Sequence, residues 1–257
     1  MTTPVALKPP ASALPTVTLF RRSLAAEWCR LWTVRSTWWA LLAAAGMALT
    51  AAAGLGAKDG DEGVVPVWVA GELAVVVAQL PLLVLVIMAV TSDHATGAIR
   101  GSLQWVPRRG ILLTTRTVVA VAVATVAGVL VAVMADAVMW LWVREFEVVE
   151  VLASLGDLTV LLLTGGLVTA ALATILRSSA GTVTAVLLLL ALPIPLPEFG
   201  VAWLSRVGRH LPGMALTSLG LFEGPPMTLR ELAPTLGAWV VGSSLLAAWL
   251  LARRDAA

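Results

Sequence analysis

The chain contains no tyrosine, one cysteine and two histidines, and only 12% of its 257 residues are charged. The single cysteine, Cys29, excludes an internal disulfide and any metal site built from several cysteines. His94 and His210 lie far apart in segments of different character, so we interpret them as surface or packing residues rather than metal ligands. The net charge of +2 gives no support to nucleic-acid binding.

Motifs for nucleotide binding and for hydrolysis are also missing from the sequence. No G-x-x-x-x-G-K-[ST] loop occurs, so the chain lacks the usual means of binding ATP phosphates. Neither H-E-x-x-H nor G-x-S-x-G is present, and no carboxylates cluster within the apolar stretches. We therefore predict that the chain is not an enzyme and has no cofactor of its own.

Apolar sequence makes up most of the chain instead. Hydrophobic residues account for 59% of it and the mean hydropathy is +0.94, whereas soluble domains are about 45–50% apolar. A membrane-spanning helix needs about 20 mostly apolar residues. Because lipid offers no hydrogen bonds to backbone groups, we predict an all-α integral membrane protein with six transmembrane helices. These spans are 37–57, 67–91, 117–140, 158–176, 178–196 and 235–252.

Charged residues predict the orientation of these spans. With the N-terminus in the cytoplasm, twelve of the seventeen basic residues fall on the cytoplasmic side, whereas ten acids fall outside and three inside. The reverse orientation inverts both distributions. We therefore predict a multi-pass membrane protein with both termini in the cytoplasm.

Residues 1–36 precede the first span as a separate segment. Residues 1–15 hold four prolines and predict a disordered tail. Residues 16–37 predict an amphipathic helix lying on the inner leaflet, with Arg22 and Arg30 toward anionic headgroups and Arg35 interrupting the apolar arc. A basic anchor that orients the first span is the alternative. The apolar arc consists of Phe20, Leu24, Trp28, Leu31 and Trp32.

Two connections between the predicted spans are unusually apolar. Residues 92–110 are too polar to span yet contain Ile99 and Leu103, which predicts a short helix that rests on another protein or on the bilayer and ends at Pro107. Residues 197–234 follow prolines that should break the fifth span. Within them, 199–204 and 214–222 predict short re-entrant helices before the last span, or else an amphipathic external loop.

Two acids fall within the predicted spans, Glu72 in the second and Asp136 in the third. Acids inside a membrane are usually paired, functional or close to the interface. Both lie toward the outer ends of their spans, and two interpretations stay open. They are interfacial acids that need no partner, or they line the exit of a translocation path.

Three strings of the sequence resemble a known family. Residues 91–109 read TSDHATGAIRGSLQWVPRR and residues 25–44 read AAEWCRLWTVRSTWWALLAA. Both resemble bacterial ABC transporter permeases of the type-2 exporter class, whose first cytoplasmic loop combines an acid, an aromatic residue, a Gly-Thr-Ile/Leu-Arg-like stretch and Pro-Arg-Arg. Residues 209–219, RHLPGMALTSL, are similar to the Leu-Pro stretch before the last span of that family. Asp93 and His94 depart from the Glu and Tyr or Phe that are commoner there.

The resemblance implies a permease subunit of an ATP-driven exporter in the bacterial plasma membrane. It implies a membrane-surface helix over 16–37, with Trp28, Arg30, Trp32 and Arg35, and a coupling helix over 92–109 that docks on a separate P-loop ATPase. Two ATPase subunits, which bind ATP and Mg²⁺, would assemble with this chain and a second permease chain, identical or related. The expected coupling residues are Asp93, His94, Gly97, Arg100, Leu103 and Pro107.

Three alternatives stay open beside this interpretation. Residues 92–109 could be an ordinary basic loop that sets the topology. The chain could also be a secondary transporter driven by an ion gradient, or a membrane scaffold that transports nothing.

Overall fold

The chain folds into helices and turns throughout the part that the structure, a computed structural model, describes. That part comprises residues 15–59, 65–96, 109–144, 147–193, 200–214 and 229–254. It holds eight α-helices, which confirms the predicted all-α class. They are α1 (Thr16–Thr33), α2 (Arg35–Asp59), α3 (Val67–Thr96), α4 (Arg109–Val143), α5 (Val148–Leu176), α6 (Ser179–Ala191), α7 (Ala202–Gly208) and α8 (Leu229–Arg254).

Five of these helices, α2, α3, α4, α5 and α8, are long and apolar enough to cross a membrane. The helix in the region of the predicted fifth span, α6, has only 13 residues. At 1.5 Å per residue it rises about 20 Å, short of the roughly 30 Å of a hydrocarbon core. It ends at Ala191, and Leu192 keeps a helical backbone (φ −59°, ψ −39°) directly before Pro193. Residues 194–196 of that predicted span lie outside the described part.

The long helices extend beyond the apolar stretches that predicted them. Helix α4 begins at Arg109 instead of residue 117, and α5 begins at Val148 instead of residue 158. With 35 residues, α4 is about 52 Å long, so a helix can cross the hydrocarbon and continue past it. Arg116, which the sequence placed in a connecting segment, therefore belongs to a helix.

Helix α3 lies at the centre of the bundle and packs against α2, α4 and α5, while α8 packs mainly on α5. Glycines allow α4 and α5 to approach closely. A Cβ atom added to Gly128 of α4 would lie 2.5 Å from Leu162 Cδ1, and one added to Gly166 of α5 would lie 3.0 Å from Val121 Cγ1. The buried core between these helices includes Leu82, Val86, Ala132, Met139 and Leu158.

The break between α1 and α2 falls at Val34, earlier than the end of the helix predicted over 16–37. Val34 is extended, with φ −87° and ψ 124°. The hydroxyl of Thr37 donates to the carbonyl oxygen of Leu31 at 2.7 Å, which satisfies a group left open by the end of α1. Arg35 is consequently the first residue of α2, so the prediction that it lies on the surface helix is wrong.

The segment after α6 folds back on the bundle. The backbone at Gly213 packs so closely against the carbonyls of Leu189 and Leu190 that a side chain has no room there. The indole of Trp239 in α8 donates to the carbonyl oxygen of His210 at 2.6 Å. Of the two predicted re-entrant helices, 199–204 overlaps the seven-residue α7, and 215–222 lies outside the described residues.

Candidate functional site

Three charged side chains meet where α1 crosses the end of α3 and the start of α4. The carboxylate of Glu27 accepts from Arg116 Nη2 at 3.0 Å and from Arg116 Nε at 3.3 Å. Its Oε2 atom also accepts from Arg30 Nε at 2.7 Å. Glu27 is 6% exposed and Arg116 only 2% exposed. We call these three residues the Glu27 cluster.

Arg30 extends the Glu27 cluster to α3. Its Nη2 donates to the carbonyl oxygen of Ala89 at 2.9 Å, and its Nη1 donates to Ser92 Oγ at 3.3 Å. Arg30 therefore turns toward a neighbouring helix, and not away from the bundle toward headgroups as the sequence suggested. The cluster joins α1 to both helices that flank residues 97–108.

The buried face of α1 explains why an acid lies inside. Ser23, Glu27 and Leu31 are its buried residues and follow one another at a spacing of four, which places them on one side of a helix. The predicted apolar arc coincides with this face only in part, because Leu31 is buried and Leu24 and Trp32 pack against the core. Trp28, one member of that arc, is half exposed.

The geometry of the Glu27–Arg116 pair offsets the free-energy cost of burying the two charges. Removing ions from water costs several kcal/mol each, and the attraction between them offsets this only where the geometry is good and further hydrogen bonds are made. Arg116 uses two guanidinium nitrogens on the two oxygens of one carboxylate, the strongest arrangement for such a pair. Arg30, whose side chain is 30% exposed, contributes less.

Sequence reasoning missed both Glu27 and Arg116, although each carried a signal. Glu27 is the one acid among the first 58 residues, in a segment otherwise rich in arginine. Arg116 is enclosed by apolar sequence on both sides, from Ile111 to Leu113 and again from Val118 onward. A charge in such surroundings usually has a partner.

The predicted surface-helix tryptophans form the corner between α1 and α2. The Trp28 and Trp32 rings meet edge to face at 5.6 Å, and the Trp32 and Trp38 rings lie 5.3 Å apart. The Trp38 indole donates to the carbonyl oxygen of Trp32 at 3.1 Å. Rings with an apolar body and a polar N–H are typical of the membrane interface.

The predicted coupling residues divide between two kinds of position. Asp93 and His94 lie in the last turn of α3, which continues to Thr96. The remaining four lie outside the described residues; they are Gly97, Arg100, Leu103 and Pro107.

Glu72 and Asp136 are brought together near the opposite end of the bundle. They are 5% and 4% exposed. Ser154 of α5 donates to Glu72 Oε1 at 3.1 Å, and the Gly71 backbone N–H donates to Asp136 Oδ1 at 2.7 Å. Both acids thus have partners inside the protein, which differs from the interpretation of interfacial acids that need none. Within the described ranges, no three histidine, cysteine or acidic side chains group as metal ligands.

These features define a helical, multi-pass type of membrane protein, with five apolar helices long enough to span and a buried charged cluster toward each end of the bundle. No protein-family model matches the chain, and no curated protein sequence matches it.

Proposed function

We propose that the chain is the membrane-spanning permease subunit of an ATP-driven exporter, coupled through residues 92–109 to a separate ATPase. Its resemblance to type-2 exporter permeases over 25–44 and 91–109 supports this proposal. The single observation that carries it furthest is the Glu27 cluster, which ties α1 to both helices that flank the coupling segment.

The Glu27 cluster offers a mechanical route from the coupling segment to the bundle. Helices α3 and α4 form the largest helix–helix contact of the described structure, so a push at their connected ends acts on the centre of the protein. Because Glu27 and Arg30 bind both ends, α1 would move with them as one unit. A buried, bidentate pair suits this role better than a flexible surface pair, because it resists separation.

The proposed assembly contains two copies of a soluble P-loop ATPase and a second permease chain, identical or related. ATP and Mg²⁺ are bound by the ATPases, and this chain supplies the path through the bacterial plasma membrane. We further propose six spans, with α6 and the residues after it forming the fifth. In this orientation both termini and the Glu27 cluster lie at the cytoplasmic face, and Glu72 and Asp136 lie toward the outer face.

The single cysteine allows the orientation to be tested without engineering. Cys29 lies exposed on α1. A membrane-impermeant maleimide should label it in inside-out membrane vesicles and leave it unlabelled in intact cells. A Cys29→Ser variant with Glu150→Cys should show the reverse pattern. Labelling of Cys29 from outside intact cells would contradict both the orientation and the coupling proposal.

Dependence on a partner ATPase is tested by replacing residues 93–100 with a glycine–serine segment of equal length. Export driven by ATP and copurification with a P-loop ATPase should both be lost, while the protein still elutes as a folded species. The matched control carries Arg206→Ala and Arg209→Ala in and just after α7, at the proposed outer side, and should retain both. Transport that stops with an uncoupler but survives ATP depletion would instead identify a secondary transporter.

A further inference from the structure

Three helices contribute polar groups to one buried site that the proposed exporter mechanism does not use. Glu72 is the sixth residue of α3, Ser154 the seventh of α5, and Asp136 lies seven residues before the end of α4. Each is therefore roughly 8–10 Å along its helix from the same end of the bundle. Asp136 Oδ1 accepts from the N–H of Gly71, the residue directly before Glu72, so the two acids lie on neighbouring positions of the α3–α4 contact.

The site offers fewer hydrogen-bond donors than its two carboxylates can accept. Glu72 Oε1 accepts from Ser154, but Glu72 Oε2 is buried and has no hydrogen-bond partner among the described residues. Asp136 Oδ1 accepts from the Gly71 N–H, in the second turn of α3, at 2.7 Å. Each acid thus accepts a hydrogen bond from the protein, while the second oxygen of Glu72 has no partner among the described residues.

No cation of the described chain neutralises the pair. Neither acid forms an ion pair with a described basic side chain. The described basic groups toward this end are all exposed; they are Lys58, Arg144, Arg206, Arg209, His210 and Arg230. Helix α6 carries no charged residue, and the charges of α1 lie at the other end. The acids of α5 at this end, including the residue just before it, are Glu147, Glu150 and Asp157, all exposed.

A small cavity lies between this site and the end of the bundle. It has a volume of about 90 Å³ and is lined by Val67, Trp68, Val143, Glu147 and Val151, together with the chain just before α3. Trp68 and Val67 precede Glu72 and Gly71 by one helical turn. A cavity of this size holds several water molecules, so water can approach to within about one turn, roughly 6 Å, of the carboxyls.

We propose that Glu72 and Asp136 form a proton-binding site that exchanges protons with water at this end of the bundle. An uncompensated buried carboxylate pair is so costly that one member takes up a proton instead. A metal cation fits less well, because hard cations need six or more oxygen ligands and this site offers two carboxyls and one hydroxyl. Uptake of one proton lowers the charge of the pair from −2 to −1, and the two acids titrate as a coupled pair.

Carbodiimides test this directly on the unmodified full-length chain, because they react with a carboxyl in its protonated form. Dicyclohexylcarbodiimide, which is apolar, should modify Glu72 or Asp136, located by mass spectrometry. Labelling should fall about tenfold per pH unit above the titration midpoint. Glu72→Gln should abolish or strongly reduce it, and Glu150→Gln should leave it unchanged.

Three results would overturn the proposal. The first is that neither acid is labelled at any pH while a water-soluble carbodiimide modifies Glu150. The second is labelling that does not change with pH. The third is complete protection by sodium ions at fixed pH, which would assign the site to a metal cation. The carbodiimide experiment needs no ATPase. Its failure would therefore leave the exporter proposal intact, and failure of the exporter proposal would leave the proton-binding site intact.

Discussion

Replacing Glu27 by glutamine is the substitution for which the structure predicts the largest effect. It keeps the shape of the side chain but removes the negative charge that two arginines bind. Arg116, only 2% exposed, loses the carboxylate that it contacts through two nitrogens. Removing one member of a buried ion pair typically costs about 3–5 kcal/mol.

This loss of stability can be measured as a decrease in melting temperature. For a chain of this size 1 kcal/mol corresponds to roughly 2–4 °C, so Glu27→Gln should lower the melting temperature in detergent by roughly 6–20 °C. Tryptophan fluorescence is a suitable probe, since Trp28 and Trp32 lie on the same helix. The control is Arg22→Gln, an exposed site on α1, which should change stability by about 0.5 kcal/mol or less.

A double substitution separates pairing from simple burial. Arg116→Met alone should destabilise less than Glu27→Gln, because Glu27 then keeps its contact with Arg30, whereas Glu27→Gln removes the carboxylate from both arginines. The protein with both changes should be clearly more stable than the sum of the two effects predicts, since neither charge then remains buried without the other. Equal melting temperatures for Glu27→Gln and Arg22→Gln, or strictly additive effects, would refute this account of the cluster.

Two further predictions concern the opposite end of the bundle. Gly71→Ala should cost about 1–3 kcal/mol by displacing the buried Asp136 carboxylate from its hydrogen bond, because the added Cβ would lie 2.6 Å from Asp136 Oδ1. Gly54→Ala, with open space around it, should be neutral or slightly stabilising, and equal melting temperatures for the two would contradict the packing. Ser154→Ala should cost about 1–2 kcal/mol through the hydrogen bond lost to buried Glu72, and an unchanged melting temperature would contradict that bond.

The spans illustrate what local sequence can predict. The stretches 37–57, 67–91, 117–140, 158–176 and 235–252 all fall within helices long enough to span, because the demand for apolar residues applies to each window separately. The predicted stretch 178–196 corresponds to a helix that ends at Ala191. Hydropathy there continued toward Pro193, Pro195 and Pro197, but each proline removes a backbone hydrogen-bond donor, and three of them within five residues do not favour a continuous helix.

The pairing of the buried charged residues illustrates what local sequence could not predict. Glu27 and Arg116 are 89 positions apart, and hydropathy treated both as ordinary cytoplasmic charges. Asp136 and Gly71 are 65 positions apart, and no local pattern links an acid on one helix to the backbone of another.

From its sequence alone, this protein is committed to an all-helical membrane fold, because most of its residues are apolar and lipid leaves their backbone groups no other partners. Only the tertiary structure decided which face of α1 is buried, which arginine pairs with Glu27 and where the two intramembrane acids meet. Those outcomes depend on how each helix is rotated about its axis against its neighbours. That rotation is set by side chains distant in sequence and close in space.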